Sequence, residues 1–342
     1  MRLLIFLARR LGYSIFVLLG LSILVFLIAR VMPGDPARMA MGPRAPEWVV
    51  ERFRTEMHLD KPLYVQYYYW LRDALQGKFG LSIYTRRDVS QDIGEFFPAT
   101  MELALFAGII MGVFGIVLGV VSARYANSWI DNSVRVITYM GVVTPAYVFA
   151  ILFLLLFGYV LNLLPTTGRL SPGVPAPPTR TGLVTLDSLL AGNFTAFFDA
   201  LKHLIMPGIA LALGGLSQEA RITRASITEN LQRDFIALER SQAIPERVIM
   251  SKYLLKLSLI PTVSILGLDF ASLLGNAFLV EMIFNWPGMS RYGIHAMLTK
   301  DLNAIVAVIM IFGVIFITVN IIVDLVVSWL DPRIRLGAER AK

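Results

Sequence analysis

Six apolar runs stand out along the chain, at Leu11 to Val31, Met101 to Ser122, Val134 to Leu164, Leu204 to Leu216, Ile260 to Phe284 and Ala304 to Leu330. A helix needs about 20 apolar residues to cross a hydrocarbon core about 30 Å thick, and all the runs but the fourth have that length. The fourth is short because Gln218, Glu219, Arg221 and Arg224 follow closely. It reaches span length only by running on into polar sequence. The first run follows Arg2, Arg9 and Arg10, a charged start that a cleaved signal peptide shares. A signal peptide, however, has an apolar core of about 7 to 15 residues and a small-residue cleavage site. This run is longer and ends in Arg30-Val31-Met32-Pro33-Gly34, so it reads as an uncleaved helix. The pattern predicts an all-α integral membrane protein with six transmembrane helices.

Composition agrees. Of 342 residues, 56% are hydrophobic and 16% charged, and the mean hydropathy is +0.66. A soluble globular chain has about 45 to 50% apolar and about 25% charged residues, so an ordinary cytosolic enzyme is excluded. With no cysteine, disulfides, thiolate zinc sites and iron–sulfur clusters are excluded too. The net charge of +7 raises nucleic acid as a partner. The cations do not gather with aromatics on one amphipathic face, so no nucleic acid is expected; their distribution between loops fits membrane orientation. Arg2, Arg9 and Arg10, then Arg124 and Arg135, then Arg221, Arg224, Arg233, Arg240, Arg247, Lys252 and Lys256, and finally Arg333, Arg335, Arg340 and Lys342 fall in alternate connections and the two ends. The loop after the first run instead balances nine cations against nine carboxylates. Short basic segments decide orientation, which places both termini in the cytoplasm.

Residues 33–97 contain helix-like stretches at Pro46 to His58 and Val65 to Gln76, where Tyr67, Tyr68, Tyr69 and Trp70 suit an ordered cap near the lipid headgroups. Residues 165–203, with Ser171-Pro172-Gly173-Val174-Pro175-Ala176-Pro177-Pro178, read as an extended loop. Arg221 to Leu259 is too polar to cross and too apolar for a plain solvated loop. At helical period Phe235, Ile236 and Leu238 with Leu231 form an apolar stripe, while Glu239, Arg240, Gln242, Glu246 and Arg247 face elsewhere. A short helix parallel to the membrane is predicted. Pro245 cannot sit inside it and starts a new helix with Glu246 in the first turn. On amphipathicity alone, an interfacial anchor explains this segment as well.

The chain resembles the inner-membrane permease subunits of ATP-binding-cassette importers, in particular the first permease of the dipeptide, oligopeptide and nickel group. The resemblance runs through Pro33-Gly34-Asp35-Pro36-Ala37, Leu59-Asp60-Lys61-Pro62-Leu63, Val65-Gln66-Tyr67, Gly77-Lys78-Phe79-Gly80-Leu81-Ser82 and Pro98-Ala99-Thr100-Met101-Glu102-Leu103. It continues in Asp234-Phe235-Ile236, in Leu259-Ile260-Pro261 and in Glu281-Met282-Ile283-Phe284-Asn285-Trp286-Pro287-Gly288. The order and spacing of these pieces carry it, over nearly the whole chain. It implies a type I importer transmembrane domain: residues 1–97 as first helix and extracytoplasmic loop, 98–331 as permease core with a coupling loop at about 222–258, and 332–342 as a cytoplasmic tail. It also implies a multi-pass protein of a bacterial-type inner membrane, in contact with lipid. The partners implied are a second permease, two cytoplasmic ATPases that bind ATP and Mg, and an extracytoplasmic binding protein. In the family's coupling motif a Gly stands where this chain has Ala243, eighteen residues before Pro261. Gly permits φ > 0 at the turn, so Ala243 puts the turn geometry in question.

No G-x-x-x-x-G-K-[ST] loop occurs, so the chain is not its own ATPase, and no cofactor is expected in it. Leu238, Glu239, Arg240, Ala243 and Ile244 are the candidates for an ATPase groove, with Glu246 and Arg247 at its rim. Asp269, near the middle of the fifth run, is a candidate pathway residue because an intramembrane charge is costly. It is equally readable as a hydrogen-bonded structural carboxylate. Glu281 and Glu102, near outer ends, are gate candidates, although a solvated end explains them too. His58, His203 and His295 lack metal-ligand spacing, so no metal site is expected. His58 reads as surface and His203 as interfacial. Pro145 reads as a kink, and Gly108, Gly112, Gly115 and Gly119 as a small-residue face for a neighbouring helix, such as one of the partner permease. Peptides are the expected cargo; oligosaccharides, opines or nickel chelates fit the same architecture. A stand-alone ion-coupled carrier is the rival from another class.

Overall fold

The computed structural model describes residues 2–31, 35–42 and 44–330. The predicted tail at 332–342, with its four cations, and the Pro33-Gly34 step lie outside the described residues. Contacts divide the chain into two units, one of Leu7–Thr100 with Pro287–Ile315, the other of Met101–Trp286 with the last helix from Phe316 on. By contacts, Pro287–Ile315 thus groups with the N-terminal segment.

The N-terminal unit contains most of α1 (Arg2–Val31), then α2 (Pro36–Met41), α3 (Glu47–Glu56), α4 (Leu63–Leu75) and the start of α5 (Val89–Arg124). Local chemistry sets the short helices. Asp35 caps α2 by accepting from Ala37 N at 3.0 Å, and Pro46 and Pro62 fix φ just before α3 and α4. The aromatic row predicted at 67–70 docks α4 on α1: Tyr67 Oη lies 2.8 Å from Ser22 Oγ, and its ring meets Phe26 edge-on at 5.3 Å.

In the core unit, α6 (Trp129–Val143) meets α7 (Ala146–Phe153), which a π-turn at Leu154–Val160 prolongs, at an angle of 106°. The single span expected over Val134 to Leu164 is therefore sharply broken. Thr144 is extended (ψ 122°) and Pro145, without an N–H, caps α7; the residue before a proline is forced out of helical geometry. After α8 (Val184–Leu190) comes α9 (Phe194–Asn230), which lengthens the short fourth run on both sides. Asn193 starts it by accepting from Ala196 N at 3.0 Å. α10 (Asp234–Ser241), α11 (Glu246–Val248), a π-turn at Ile249–Leu254 and α12 (Leu255–Ile283) follow. The N-terminal unit then supplies α13 (Met289–Leu298) and the start of α14 (Leu302–Leu330). Among the described residues, five continuous helical stretches are long and apolar enough to cross a membrane, and the bent pair makes a sixth if it counts as one span.

The glycine row of α5 packs inside this chain. A Cβ at Gly115 would stand 2.6 Å from Glu219 Cβ and one at Gly119 2.5 Å from Thr223 Cβ, both on α9; Gly108 and Gly112 face Phe270 and Leu266 of α12. The row is what lets α5 approach these helices, and the neighbouring helices expected for it are α9 and α12 of this chain.

The segment at 165–203 is not a plain extended loop. Carboxylates staple it. Glu102 accepts from Arg169 Nε at 3.1 Å and from Thr185 N and Oγ1, each at 2.7 Å. Asp199 accepts from Ser171 N at 2.6 Å and Oγ at 2.8 Å. Asp187 gathers the N–H groups of Arg180, Thr181 and Gly182 at 2.9 to 3.1 Å, with Thr181 Oγ1 at 2.8 Å. Glu102 is buried, so a solvated helix end does not describe it, and His203, also buried, places Nδ1 2.9 Å from Asp199 O. Burial pushes the Asp187 carboxyl up, but its four donors outweigh that and hold it below the usual carboxylate range. A depressed value means stabilisation that is present above the unfolded pKa of about 3.9 and lost as pH falls through the lower folded one. Asp187→Asn turns an amide NH₂ toward N–H donors and should cost about 1 to 3 kcal/mol locally at neutral pH. Faster limited proteolysis between Ser171 and Leu183 is the expected readout; equal lifetimes for variant and wild type would contradict the staple.

Candidate functional site

Two features of the core unit carry chemistry, a carboxylate cluster inside the bundle and the polar segment between α9 and α12. In the first, Gln218 of α9 donates from Nε2 to Asp269 Oδ1 of α12 at 3.2 Å. Neighbouring Glu219 is fully buried. Among the described residues, both Glu219 carboxylate oxygens, Asp269 Oδ2 and Ser217 Oγ have no hydrogen-bond partner. Gly115 gives Glu219 its place, since any side chain there would overlap it. A carboxylate within a membrane bundle costs at least a few kcal/mol unless a cation or donors meet it. A cation, a hydrogen-bond donor or a proton on the carboxylate would each meet that cost at these unpartnered oxygens. Glu219 had entered the sequence reading only as a residue that shortens the fourth run. It lies within α9, one of the helices long and apolar enough to cross a membrane, although beyond the apolar run itself. Glu281, the other pathway candidate, is fully buried near the end of α12, where its carbonyl accepts from Trp286 N at 2.8 Å.

A second carboxylate, missed altogether, knots the helices beside the polar segment. Asp131 is fully buried. Its Oδ1 accepts from Arg224 Nε at 2.7 Å and Ser122 Oγ at 2.5 Å; its Oδ2 accepts from Arg224 Nη2 at 2.8 Å, Arg135 Nη2 at 2.6 Å and Asn127 N at 2.9 Å. One side chain thus joins α5, α6 and α9. The local half of the signal was legible, with Asp131 in the first turn after the Ser128 cap and four residues before Arg135; the Arg224 half is tertiary. Arg124, Arg135, Arg221 and Arg224 had been read only as orienting charges.

The polar segment folds as helix, turn, helix. Ile236 is fully buried in a cluster with Ala123, Ile227, Ile249 and Leu254, against which Leu231 and Ile244 also pack. Leu238 is 58% exposed and Phe235 36%, so the predicted stripe divides. At about 100° per residue, positions 236 and 238 lie about 200° apart and cannot share a face. Glu239 is half-buried, while Arg240, Ala243, Glu246 and Arg247 are exposed. Arg240 Nε and Glu246 Oε1 pair at 2.7 Å across the turn, an exposed contact worth about 0 to 1 kcal/mol. Pro245 precedes α11, and Glu246 stands in its first turn.

The turn hinges on Ala243, with φ +56°. Ala243 N donates to Arg240 O at 3.0 Å and Ile244 N to Glu239 O at 3.3 Å, the paired bonds of a Schellman motif with alanine where glycine is usual. The turn that the replacement put in question is kept, at a cost of about 1 to 2 kcal/mol for a left-handed L-residue.

Long apolar helices with buried carboxylates among them are the frame of a multi-pass membrane protein. The chain belongs to the family described as the binding-protein-dependent transport system inner membrane component, whose model matches residues 115–336; the family's N-terminal model matches residues 3–104. It is 39% identical over 323 residues to the probable D,D-dipeptide transport system permease of Escherichia coli K12, covering 94% of this chain and 95% of that one. Identity is 36% over 327 residues to the dipeptide transport system permease of Alkalihalophilus pseudofirmus, covering 96% and 98%. With the glutathione transport system permease of Escherichia coli K12 it is 33% over 332 residues, covering 95% and 99%. The chain is thus a membrane permease of the ABC importer class, in its peptide group.

Ala243→Gly relieves the left-handed strain and should raise the melting temperature of the purified chain, by an amount matching about 0.5 to 1 kcal/mol once the extra freedom of unfolded glycine is subtracted. Ala237→Gly, inside α10, should lower it by about 1 kcal/mol. Equal signs would contradict the assigned turn.

Proposed function

We propose that this chain is the permease subunit through which di- or oligopeptides, delivered by an extracytoplasmic binding protein, cross the membrane beside a second permease. Two separate cytoplasmic ATPases, which bind ATP and Mg, drive it, and both chain termini lie on their side. The single observation that carries the reading is the Schellman-closed segment Asp234–Val248, anchored by Ile236 and turning polar side chains outward. An ATPase can shift a permease between states only through contacts that differ between those states. A segment fixed to three helices passes such a difference on. Leu238 supplies the exposed apolar contact, Glu239 and Arg240 the charges, Ala243 and Ile244 the turn, and Glu246 and Arg247 the rim.

The relatives named for dipeptides, di/tripeptides and glutathione support a peptide cargo. Asp269 and Glu219 offer the chemistry that a peptide amino group requires, and Glu281 lies further along the same helix as Asp269.

In proteoliposomes of the assembled importer, Glu239→Lys or Arg240→Glu should leave insertion intact and let ATP hydrolysis continue while uptake falls about tenfold, within the usual range of coupling energies. Unchanged uptake would remove the docking role. Asp269→Asn should raise KM for a free-amine peptide and leave an N-acetylated one unaffected. Identical kinetics for both peptides would return Asp269 to a structural role.

A further inference from the structure

A cavity of about 350 Å³ opens in the N-terminal unit, among residues of α1, α3, α4, the 78–83 turn and the start of α14. Its depth is fixed by the chain. Phe26 lies in the last turn of the apolar span Arg10–Ile28, with Arg30 just beyond it, and Leu302 and Val306 lie in the first turns of the span Leu302–Leu330. Two hydrophobic spans give way to polar chain at this level. Trp70 and Tyr69 stand in the wall, beside Tyr67 and Tyr68 of the same helix, as in the aromatic belts of membrane interfaces.

Charge in the wall is unbalanced. Its two carboxylates have cations of their own: Glu56 with Arg52 at 2.8 Å and Asp73 with Arg72 at 2.9 Å. Arg72 also lies over Tyr69, whose ring stacks on His58 at 4.0 Å. Among the described residues Arg30, Lys78 and Lys300 have no acidic partner; Arg30 makes a cation–π contact with Phe26 at 5.5 Å. The wall is also braced, because Gln66 Nε2 ties α4 to Leu59 O at 3.2 Å and Lys61 O at 2.8 Å. Three cations with no acidic partner among the described residues thus line one preformed cavity at headgroup depth. A phosphate group satisfies them, and at that depth its source is lipid.

We propose that this cavity binds the phosphate of an anionic phospholipid headgroup, with Arg30, Lys78 and Lys300 as its ligands. The site does not depend on the transport reading, so uptake is not its readout. The full-length chain, purified and exposed to equal amounts of phosphatidylglycerol and phosphatidylcholine, should retain the anionic lipid in native mass spectrometry. Lys78→Gln with Lys300→Gln should reduce that preference by roughly an order of magnitude, and Lys78→Arg with Lys300→Arg should keep it. Both lysines are exposed, so an unchanged helical signal in circular dichroism should accompany each double variant. Equal retention of the two lipids by the wild type, or an undiminished preference in the glutamine variant, would overturn the site. Inorganic phosphate retained in place of phosphatidylglycerol would overturn the lipid as its source.

Discussion

The side chain of Ile236 is the constraint on which the polar segment depends. Enclosed by Ala123 of α5, Ile227 of α9 and Ile249 and Leu254 before α12, it contributes about 1.5 to 3 kcal/mol of burial. That exceeds the cost of about 1 to 2 kcal/mol for Ala243 in the left-handed region. Burial of one isoleucine thus offsets the strained turn that returns the chain to the membrane, and the exposed Arg240–Glu246 pair adds little. The exposed side chains of Arg240, Glu246 and Arg247 are therefore not what holds the segment in place.

The same economy of few fixed points recurs within the bundle. Glycines on α5 admit α9 and α12 at close range, Asp131 gathers two arginines, a serine and a backbone N–H, and Glu102, Asp187 and Asp199 hold the Pro-rich segment. Each of these carboxylates is satisfied. Glu219 and Oδ2 of Asp269 have no such partners. In a low-dielectric interior it is costly to leave an acceptor unmet, so a cation, a donor or a proton is required there.

Much of the fold was legible because it follows from local rules. Apolar run length marked the spans, the row at 67–70 marked an aromatic helix, and Pro245 marked the start of α11 with Glu246 in its first turn. The misreadings arose where tertiary contacts decide. Pro145 was seen, but not that it would turn the chain through 106°. Residues 165–203 read as an extended loop by composition, and their order comes from the distant Glu102 together with Asp187 and Asp199 within the segment. The glycine face was legible; its occupant, within the same chain, was not. Of the site residues, Asp269 stood out as a charge in an apolar run, whereas Glu219 was hidden in a stretch already polar. The apolar stripe of α10 failed on simple geometry, since Ile236 and Leu238 point to opposite sides.

The central claim is that Asp234–Val248 moves as one body with the end of α9. The chain has no cysteine, so spin labels can be placed at the exposed positions Ala237 and Ala225 without removing others, and their separation measured in the assembled importer with and without ATP. The account predicts one distance distribution in both states. A shift approaching a helical turn, about 5 Å, would show the segment sliding against α9 and would contradict it.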